Sequence, residues 1–158
     1  MNVLLFGSGG RETAFAWKIA QSQLLDELYI APGNPGVLQY GKSVDLKWNN
    51  FSQVKDFCIN KYIDMVIVGP EDPLVLGLAD YFSNTQILSH IFFIGPKKVG
   101  AQLEGSKDFS KRFMSRHKIP TASYKTFRKD QVQDAVDYLK TVDAPYVLKA
   151  DGLAGGKG

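Results

Sequence analysis

The amino-terminal stretch MNVLLFGSGGRE, residues 1–12, contains the pattern from which the architecture can be inferred. Its apolar run, Asn2–Phe6, predicts a buried β-strand, and the helical spacing of apolar residues over Arg11–Ser22 predicts a helix. The glycines between them predict a tight turn whose backbone N–H groups, at the N-terminus of the helix, favour an anion. A strand, a glycine-rich turn and a helix in this order open a βαβ unit, so the stretch indicates an α/β domain.

The same alternation of strands and helices continues as far as Gly95. Ligands of parallel α/β sheets bind beyond the carboxyl ends of the strands, where three loops rich in glycine or proline fall in this sequence. Continuous apolar strands suit a parallel sheet that helices cover on both faces. The further predicted strands are Leu28–Ala31, Asp64–Val68 and Ile91–Ile94, the predicted helices are Phe51–Asn60 and Leu74–Phe82, and the loops are Gly7–Glu12, Ala31–Gly36 and Gly69–Pro73.

The pattern changes after Gly95. The remaining segments predict three helices, two strands and a glycine-rich end, DGLAGGKG over residues 151–158. Because nothing follows to receive that glycine-rich loop, we expect a partial chain. The predicted helices are Lys97–Gln102, Ser106–His117 with Ser106 as N-cap, and Asp130–Lys140, and the predicted strands are Ser123–Phe127 and Tyr146–Ala150.

Composition excludes several classes of protein. The chain has 158 residues, of which 44% are hydrophobic and 22% charged, as in ordinary globular domains. A net charge of +3 is too small to indicate a nucleic-acid partner, and a single cysteine excludes a disulfide framework. No apolar stretch approaches the length that spans a bilayer. We therefore expect a cytoplasmic protein without nucleic-acid or membrane partners.

The first glycine-rich loop has three possible interpretations. It resembles the G-x-G-x-x-G turn of dinucleotide-binding folds, but Glu12 stands where the third glycine belongs. The second strand also ends in Ala31-Pro32, where a ribose-binding acid would be expected. These departures disfavour NAD and favour another phosphate ester, while a purely structural turn stays open.

Two further positions are candidates from their local sequence. Glu71 follows a strand on a proline-stiffened loop, where its carboxylate could accept hydrogen bonds from sugar hydroxyls or an amine. It could equally be the acidic start of a helix. Lys149 lies in an apolar predicted strand directly before the last glycine-rich loop, and a buried ammonium there would require an anion such as a nucleotide phosphate.

Other chemically active side chains have ordinary interpretations. Lys107 alone predicts only a solvated helix residue. His90 and His117 lack neighbouring acids or cysteines at metal-ligand spacing, so surface or capping roles are favoured. Cys58 is expected to be a small core residue. The residues by themselves identify no catalytic group and no metal site.

Five motifs occur in one order: G-x-G-G-R-E, A-P-G-N-P-G, G-P-E-x-P-L-V, Q-L-E-G-S-K-x-F and K-A-D-G-L-A-x-G-K-G. Together they cover Asn2 to Gly158 and resemble the amino-terminal part of the phosphoribosylamine–glycine ligases, or glycinamide ribonucleotide synthetases, of the ATP-grasp superfamily. The resemblance implies a Rossmann-like α/β domain over residues 1–104 and the beginning of an ATP-grasp domain over 105–158.

The resemblance also implies a reaction in de novo purine synthesis. ATP activates the carboxylate of glycine as an acyl phosphate, which the amine of 5-phosphoribosylamine then attacks. Mg²⁺ is implied as well, with ligands beyond this chain. The implied phosphoribosylamine-binding residues are Gly9, Gly10, Arg11, Glu12, Asn34 and Glu71; those implied for ATP are Lys107, Lys149, Gly152, Gly155, Gly156, Lys157 and Gly158.

Two departures from the family pattern bear on function. Thr13 stands where members usually have histidine, so a role that needs imidazole is in question, although a hydroxyl can still hydrogen-bond. The chain also ends before the family's magnesium ligands, adenine pocket and last domain, so we expect no catalysis by this chain alone. A sister ATP-grasp enzyme acting on another purine intermediate, and a non-catalytic nucleotide-binding module, remain alternatives.

Overall fold

The computed structural model describes residues 1–153. The chain forms two compact units, Met1–Ala101 and a second unit that begins at Gln102. Within the described residues, no helix is both long enough and apolar enough to cross a membrane.

The first unit is built on a five-stranded, all-parallel sheet in the order β3-β2-β1-β4-β5. The four strands predicted from apolar runs are confirmed, with ends that differ by at most one residue. The strand β3 was not predicted, because it is only two residues long and contains no apolar run. The strands are β1 (Asn2–Gly7), β2 (Glu27–Pro32), β3 (Lys42–Ser43), β4 (Ile63–Val68) and β5 (Phe92–Ile94).

Helices accompany the sheet, and one of them differs from expectation. The predicted helix Leu74–Phe82 is in fact two helices, because Gly77 between them has the left-handed angle φ +101°, which ends an α-helix. The helices are α1 (Gly10–Ile19), α2 (Phe51–Asn60), α3 (Asp72–Leu76), α4 (Leu78–Asn84) and α5 (Lys98–Gly105). Single 3₁₀ turns lie at Pro35–Val37 and Gln86–Leu88.

The central strand β1 supplies the core on both faces of the sheet. Leu4 and Phe6 pack into one buried cluster, and Val3 and Leu5 pack into another. Their alternation follows from the two-residue period of a strand. Since burying each such side chain stabilises the fold by about 1.5–3 kcal/mol, β1 anchors the loop that follows it.

The second unit begins within α5 and contains two further helices in its described residues, α6 (Lys107–Arg116) and α7 (Val132–Leu139). The predicted N-cap is confirmed, because the Ser106 hydroxyl accepts a hydrogen bond from the Phe109 N–H at 3.1 Å.

The two strands predicted in this unit, Ser123–Phe127 and Tyr146–Ala150, are wrong. Neither segment forms a strand, and the side chains of Val147 and Leu148 are 75% and 76% exposed. A strand requires a neighbour for its backbone hydrogen bonds, and no described segment of the unit pairs with either one. Lys149 is accordingly exposed, so the argument from a desolvated ammonium does not hold.

Candidate functional site

Three loops meet the carboxyl edge of the sheet because β2, β1 and β4 are neighbours. Each loop follows directly from one of these strands and carries residues that the sequence singled out. The parallel pairing places Gly7 opposite Pro32, and Phe6 opposite Val68, so the loops begin at the same level of the sheet. This edge is the candidate substrate site of the first unit.

Glu12 is buried at this edge of the sheet. Within residues 1–153 it is the only buried charged or polar side chain, with 5% of its surface exposed. Its Oε2 accepts a hydrogen bond from the Gly9 N–H at 2.7 Å, and Oε1 lies 3.8 Å from Nε of Arg11. A glutamate in the third position of a helix that reaches back to the N-cap N–H satisfies a donor the helix leaves unpaired.

Gly7 and Gly69 pack most tightly against Glu12, and Gly9 also lies against its Oε2. A Cβ at Gly7 or at Gly69 would overlap the Glu12 side chain, and Gly7 also has the left-handed angle φ +134°. The absence of side chains at these positions is therefore needed to admit the glutamate.

Gly10 differs from these two glycines. It is the first residue of α1, it is exposed, and a Cβ built on it would meet no atom within 4 Å. The fold itself therefore does not require glycine here. A backbone position that is open to solvent and without a side chain is available for close approach by a ligand.

Asn34 connects the second loop to the first. Its Nδ2 donates to the Ser8 carbonyl at 2.9 Å and to the Thr13 hydroxyl at 3.0 Å, and its Oδ1 accepts from the Gly36 N–H at 2.7 Å. Thr13 in turn donates to the Gly9 carbonyl at 3.2 Å. The hydroxyl at position 13 is thus engaged within the site's own scaffold.

Arg11 and Glu71 supply the charges of this edge. Nη1 of Arg11 donates to the Gly69 carbonyl at 2.8 Å, yet its side chain stays 63% exposed. Glu71 directly precedes α3, is half-buried and makes no capping hydrogen bond to the described helix. A guanidinium beside backbone N–H groups suits an anion, and a nearby carboxylate suits hydroxyls or an amine.

The second unit brings Lys107 and Gly152 together. Nζ of Lys107 donates to the Gly152 carbonyl at 2.7 Å. The neighbouring carboxylate of Asp151 accepts hydrogen bonds from the Lys107 N–H at 2.6 Å and from the Ser106 hydroxyl at 3.0 Å. Exposed Lys149 takes no part in these contacts. Of the remaining predicted ATP-binding residues, four lie outside the described range: Gly155, Gly156, Lys157 and Gly158.

Asp151 was missed by reasoning from the sequence. Burial alone would raise its pKa, but the pKa lies below the ordinary 3.8 because hydrogen bonds from the Asp108 N–H, the Ser106 hydroxyl and two further backbone N–H groups favour the charged form. The available signal was an acid placed directly before the glycines of the last loop.

Neither cysteine nor metal chemistry is indicated in the described part of the chain. Burial raises the pKa of the Cys58 thiol to about 12, which confirms a core role for this residue. Residues 1–153 contain no group of three or more histidine, cysteine, aspartate or glutamate side chains that could hold a metal ion.

Comparisons with known proteins identify the family of the chain. Residues 1–104 match the family described as phosphoribosylglycinamide synthetase, N domain, and residues 105–158 match its ATP-grasp (A) domain. The chain is thus of the class in which a parallel α/β domain precedes the beginning of an ATP-grasp domain. It belongs to the phosphoribosylglycinamide synthetase family.

Individual relatives are similar along the whole chain. Identity is 51% over 158 residues with a phosphoribosylamine–glycine ligase of Agrobacterium fabrum and 47% over 160 residues with that of Escherichia coli. The crystal structure of the Thermotoga maritima phosphoribosylamine–glycine ligase is 30% identical, with a TM-score of 0.73, and the match covers 100% of this chain and 35% of that one. The chain spans about 36% of the length of the curated relatives it matches.

Proposed function

We propose that the chain provides the phosphoribosylamine-binding domain and the beginning of the ATP-grasp domain of a phosphoribosylamine–glycine ligase. The reaction joins glycine to 5-phosphoribosylamine and converts ATP to ADP and phosphate, which yields glycinamide ribonucleotide. The observation that carries the proposal is the open backbone at Gly10 beside the exposed Arg11, in a chain that matches this family from end to end.

The chemistry requires two transfers. ATP donates its γ-phosphoryl group to the glycine carboxylate, which forms glycyl phosphate and releases ADP. The amine of phosphoribosylamine then attacks the acyl carbon, the C–O bond to phosphate breaks, and the amide forms with loss of a proton. This chain's part is to bind and orient the sugar phosphate and to hold the phosphates of ATP.

The first unit would bind phosphoribosylamine at the carboxyl edge of the sheet. In this proposal the N–H group of Gly10 and the guanidinium of Arg11 receive the 5-phosphate, and Glu71 accepts hydrogen bonds from the ribose hydroxyls or the amine. Gly9 lies beside them, with its own N–H donated to Glu12. Each charge-assisted hydrogen bond of this kind contributes about 1.5–3 kcal/mol. Asn34 and Glu12 lie at the same edge of the sheet and support this loop.

The second unit would hold the phosphates of ATP through Lys107, Lys149 and the glycine-rich segment that includes Gly152. Lys107 already contacts Gly152, which places an ammonium beside that segment. For Lys149 the support is its place in the K-A-D-G-L-A-x-G-K-G motif, since it lies exposed on the surface. Gly155 to Gly158 complete this segment in the proposal.

Magnesium does not fit the described residues of this chain, because they contain no suitable cluster of ligands. We propose that Mg²⁺ accompanies ATP through ligands that residues 1–153 do not supply, and we derive no step through it. The domain boundary between residues 104 and 105, and a cytoplasmic location, also stay predictions.

A chimera tests the proposal directly. This chain replaces the corresponding segment of the 47% identical Escherichia coli ligase, and ADP release is measured with glycine and phosphoribosylamine present or omitted. We expect ADP release that depends on both substrates. A folded chimera that releases ADP only with a different purine intermediate would instead support a sister ATP-grasp enzyme.

Matched variants of the chimera assign the two sites. Arg11→Ala should raise KM for phosphoribosylamine, and Lys149→Ala should weaken ATP binding by about tenfold, as expected for one charge-assisted hydrogen bond. Lys140→Ala is the control, because Lys140 makes only an exposed ion pair with Asp137, of a kind that contributes about 0–1 kcal/mol. Equal effects of Lys149→Ala and Lys140→Ala would contradict the ATP assignment of Lys149.

A further inference from the structure

We infer that Glu12 is a positioning residue, which fixes the shape of the turn over residues 7–10 and does not itself contact the substrate. The inference rests on the proposed function, since it deepens the assignment of this edge as the site of the sugar phosphate. It changes the expected role of Glu12 from binding phosphoribosylamine to holding the groups that bind it.

The first argument is the enclosure of the carboxylate. Glu12 is 5% exposed, and Gly7 and Gly69 leave no room for a Cβ on the sides that face it. These glycines end or directly follow the adjacent strands β1 and β4. Because so little of the Glu12 side chain is exposed, a substrate has little access to the carboxylate in this packing.

The second argument is what the carboxylate holds. Its Oε2 fixes the Gly9 N–H, the residue before the open Gly10, at 2.7 Å. Its Oε1 lies 3.8 Å from Nε of Arg11, whose Nη1 reaches the Gly69 carbonyl. One buried side chain thus links the first loop, the third loop and the exposed guanidinium.

The glycines of the site provide a third argument, because they fall into two kinds. Gly7, Gly9 and Gly69 are packed against Glu12, whereas Gly10 has open space where a side chain would stand. Only the open position offers backbone to a ligand. The packed glycines leave room for Glu12, and Glu12 in turn fixes the turn that contains Gly10.

A positioning role and a contact role predict different behaviour for glutamine at this position. The Gly9 N–H needs an acceptor of the right length, and glutamine provides one with almost the same shape. A carboxylate that accepted hydrogen bonds directly from the sugar hydroxyls of ribose 5-phosphate would lose these charge-assisted bonds on conversion to glutamine. Alanine removes the acceptor in either case.

The experiment uses the 158-residue chain and ribose 5-phosphate as the probe, followed by ¹H–¹⁵N NMR titration. The variants are Glu12→Gln and Glu12→Ala, with Glu27→Gln and Glu27→Ala as matched controls. Glu27 begins β2 at the opposite, amino-terminal edge of the sheet and forms a partly exposed ion pair with Lys42. Its variants should bind the probe as the wild type does.

We expect Glu12→Gln to keep the dissociation constant within about threefold of the wild type and Glu12→Ala to raise it by about tenfold or more, as for the loss of one hydrogen bond or several. In the ligand-free protein, the Gly9 amide resonance should shift strongly in the alanine variant and little in the glutamine variant. That resonance reports the hydrogen bond whether or not ribose 5-phosphate binds.

The outcomes are distinguishable. If Glu12→Gln loses binding as fully as Glu12→Ala while its Gly9 resonance stays in place, Glu12 contacts the substrate and the inference is overturned. If the wild type fails to bind ribose 5-phosphate although the Gly9 resonance depends on Glu12, the proposed function fails. Glu12 then has only a structural role in the turn over residues 7–10. If Glu12→Ala does not fold, the glutamine variant and its Gly9 resonance decide alone.

Discussion

Each unit has a carboxylate that lies at or beside a glycine-rich stretch of the sequence, Glu12 in the first unit and Asp151 in the second. Both accept backbone N–H groups at the beginning of a helix, α1 for Glu12 and α6 for Asp151. They differ in burial, because Glu12 is 5% exposed and Asp151 lies on the surface. The same chemical device is therefore a fixed part of one loop and a releasable contact in the other.

The difference in burial has a physical consequence. When a buried acceptor is lost, the N–H it served has no easy substitute, whereas water replaces a lost acceptor at the surface. The turn over residues 7–10 is therefore held in one shape. The contact between Asp151 and α6 can open at small cost.

The largest expected effect tests the packing around Glu12. Gly69→Ala places a methyl group where the Glu12 carboxylate lies, and overpacking of this kind typically costs about 1–3 kcal/mol. A loss of that size lowers the melting temperature of a unit of about 100 residues by roughly 4–8 °C per kcal/mol. Thermal unfolding followed by circular dichroism measures it.

Gly10→Ala is the matched control for this substitution. It adds the same methyl group in open space within a helix, so its melting temperature should stay at or slightly above that of the wild type. If Gly69→Ala melts at the same temperature as Gly10→Ala, Glu12 has room to move. Its packing against Gly69 is then looser than the contacts indicate.

The next prediction compares the free-energy cost of removing each of the two carboxylates. Glu12→Ala should destabilise the chain by about 1–3 kcal/mol because it removes a buried acceptor and leaves a cavity. Asp151→Ala should cost no more than about 1 kcal/mol, since Ser106 still caps α6 and water reaches the N–H groups. Urea unfolding, read separately by probes in each unit, gives both values, and equal losses would remove the distinction between the two regions.

The sequence was informative where a pattern is local. Apolar runs predicted β1, β2, β4 and β5, and Ser106 predicted the start of α6. The two-residue β3 could not be foreseen, because its backbone pairing with Tyr29 and Ile30 leaves no trace in side-chain pattern. The two strands expected in the second unit were wrong for a related reason. An apolar run indicates that a segment favours burial, but it does not identify the strand with which that segment would pair.

The loops that form the site could be predicted from the sequence. Which of their groups are packed inside and which face the solvent could not. Spacing placed Gly9, Gly10 and Arg11 on a turn, but no pattern distinguishes a glycine packed against Glu12 from one open to solvent. The contacts of Arg11 with Gly69 and of Lys107 with Asp151 join residues 58 and 44 positions apart in the chain. Such pairings depend on strand order and chain folding, which local sequence does not encode.

The smallest effect is the pH dependence of the Asp151 contact. Hydrogen bonds from backbone N–H groups and the Ser106 hydroxyl outweigh burial, so the pKa of Asp151 is lower in the folded chain than the ordinary 3.8. A lowered pKa stabilises the contact fully above pH 3.8, and that stabilisation is lost as the pH falls through the lower, folded-state pKa. The Lys107 amide resonance, followed by NMR from neutral to acidic pH, should therefore move only below pH 3.8.

A second acid separates this titration from general acid effects. The pKa of Asp137 is also lowered, first by its hydrogen bond with Lys140, so it titrates in a similar range but on α7. Asp151→Asn should abolish the acid-induced shift of the Lys107 amide, whereas Asp137→Asn should leave it intact. If Asp137→Asn abolishes the shift as well, the acid transition belongs to the second unit as a whole, and the contact of Asp151 with α6 is not an independently releasable one.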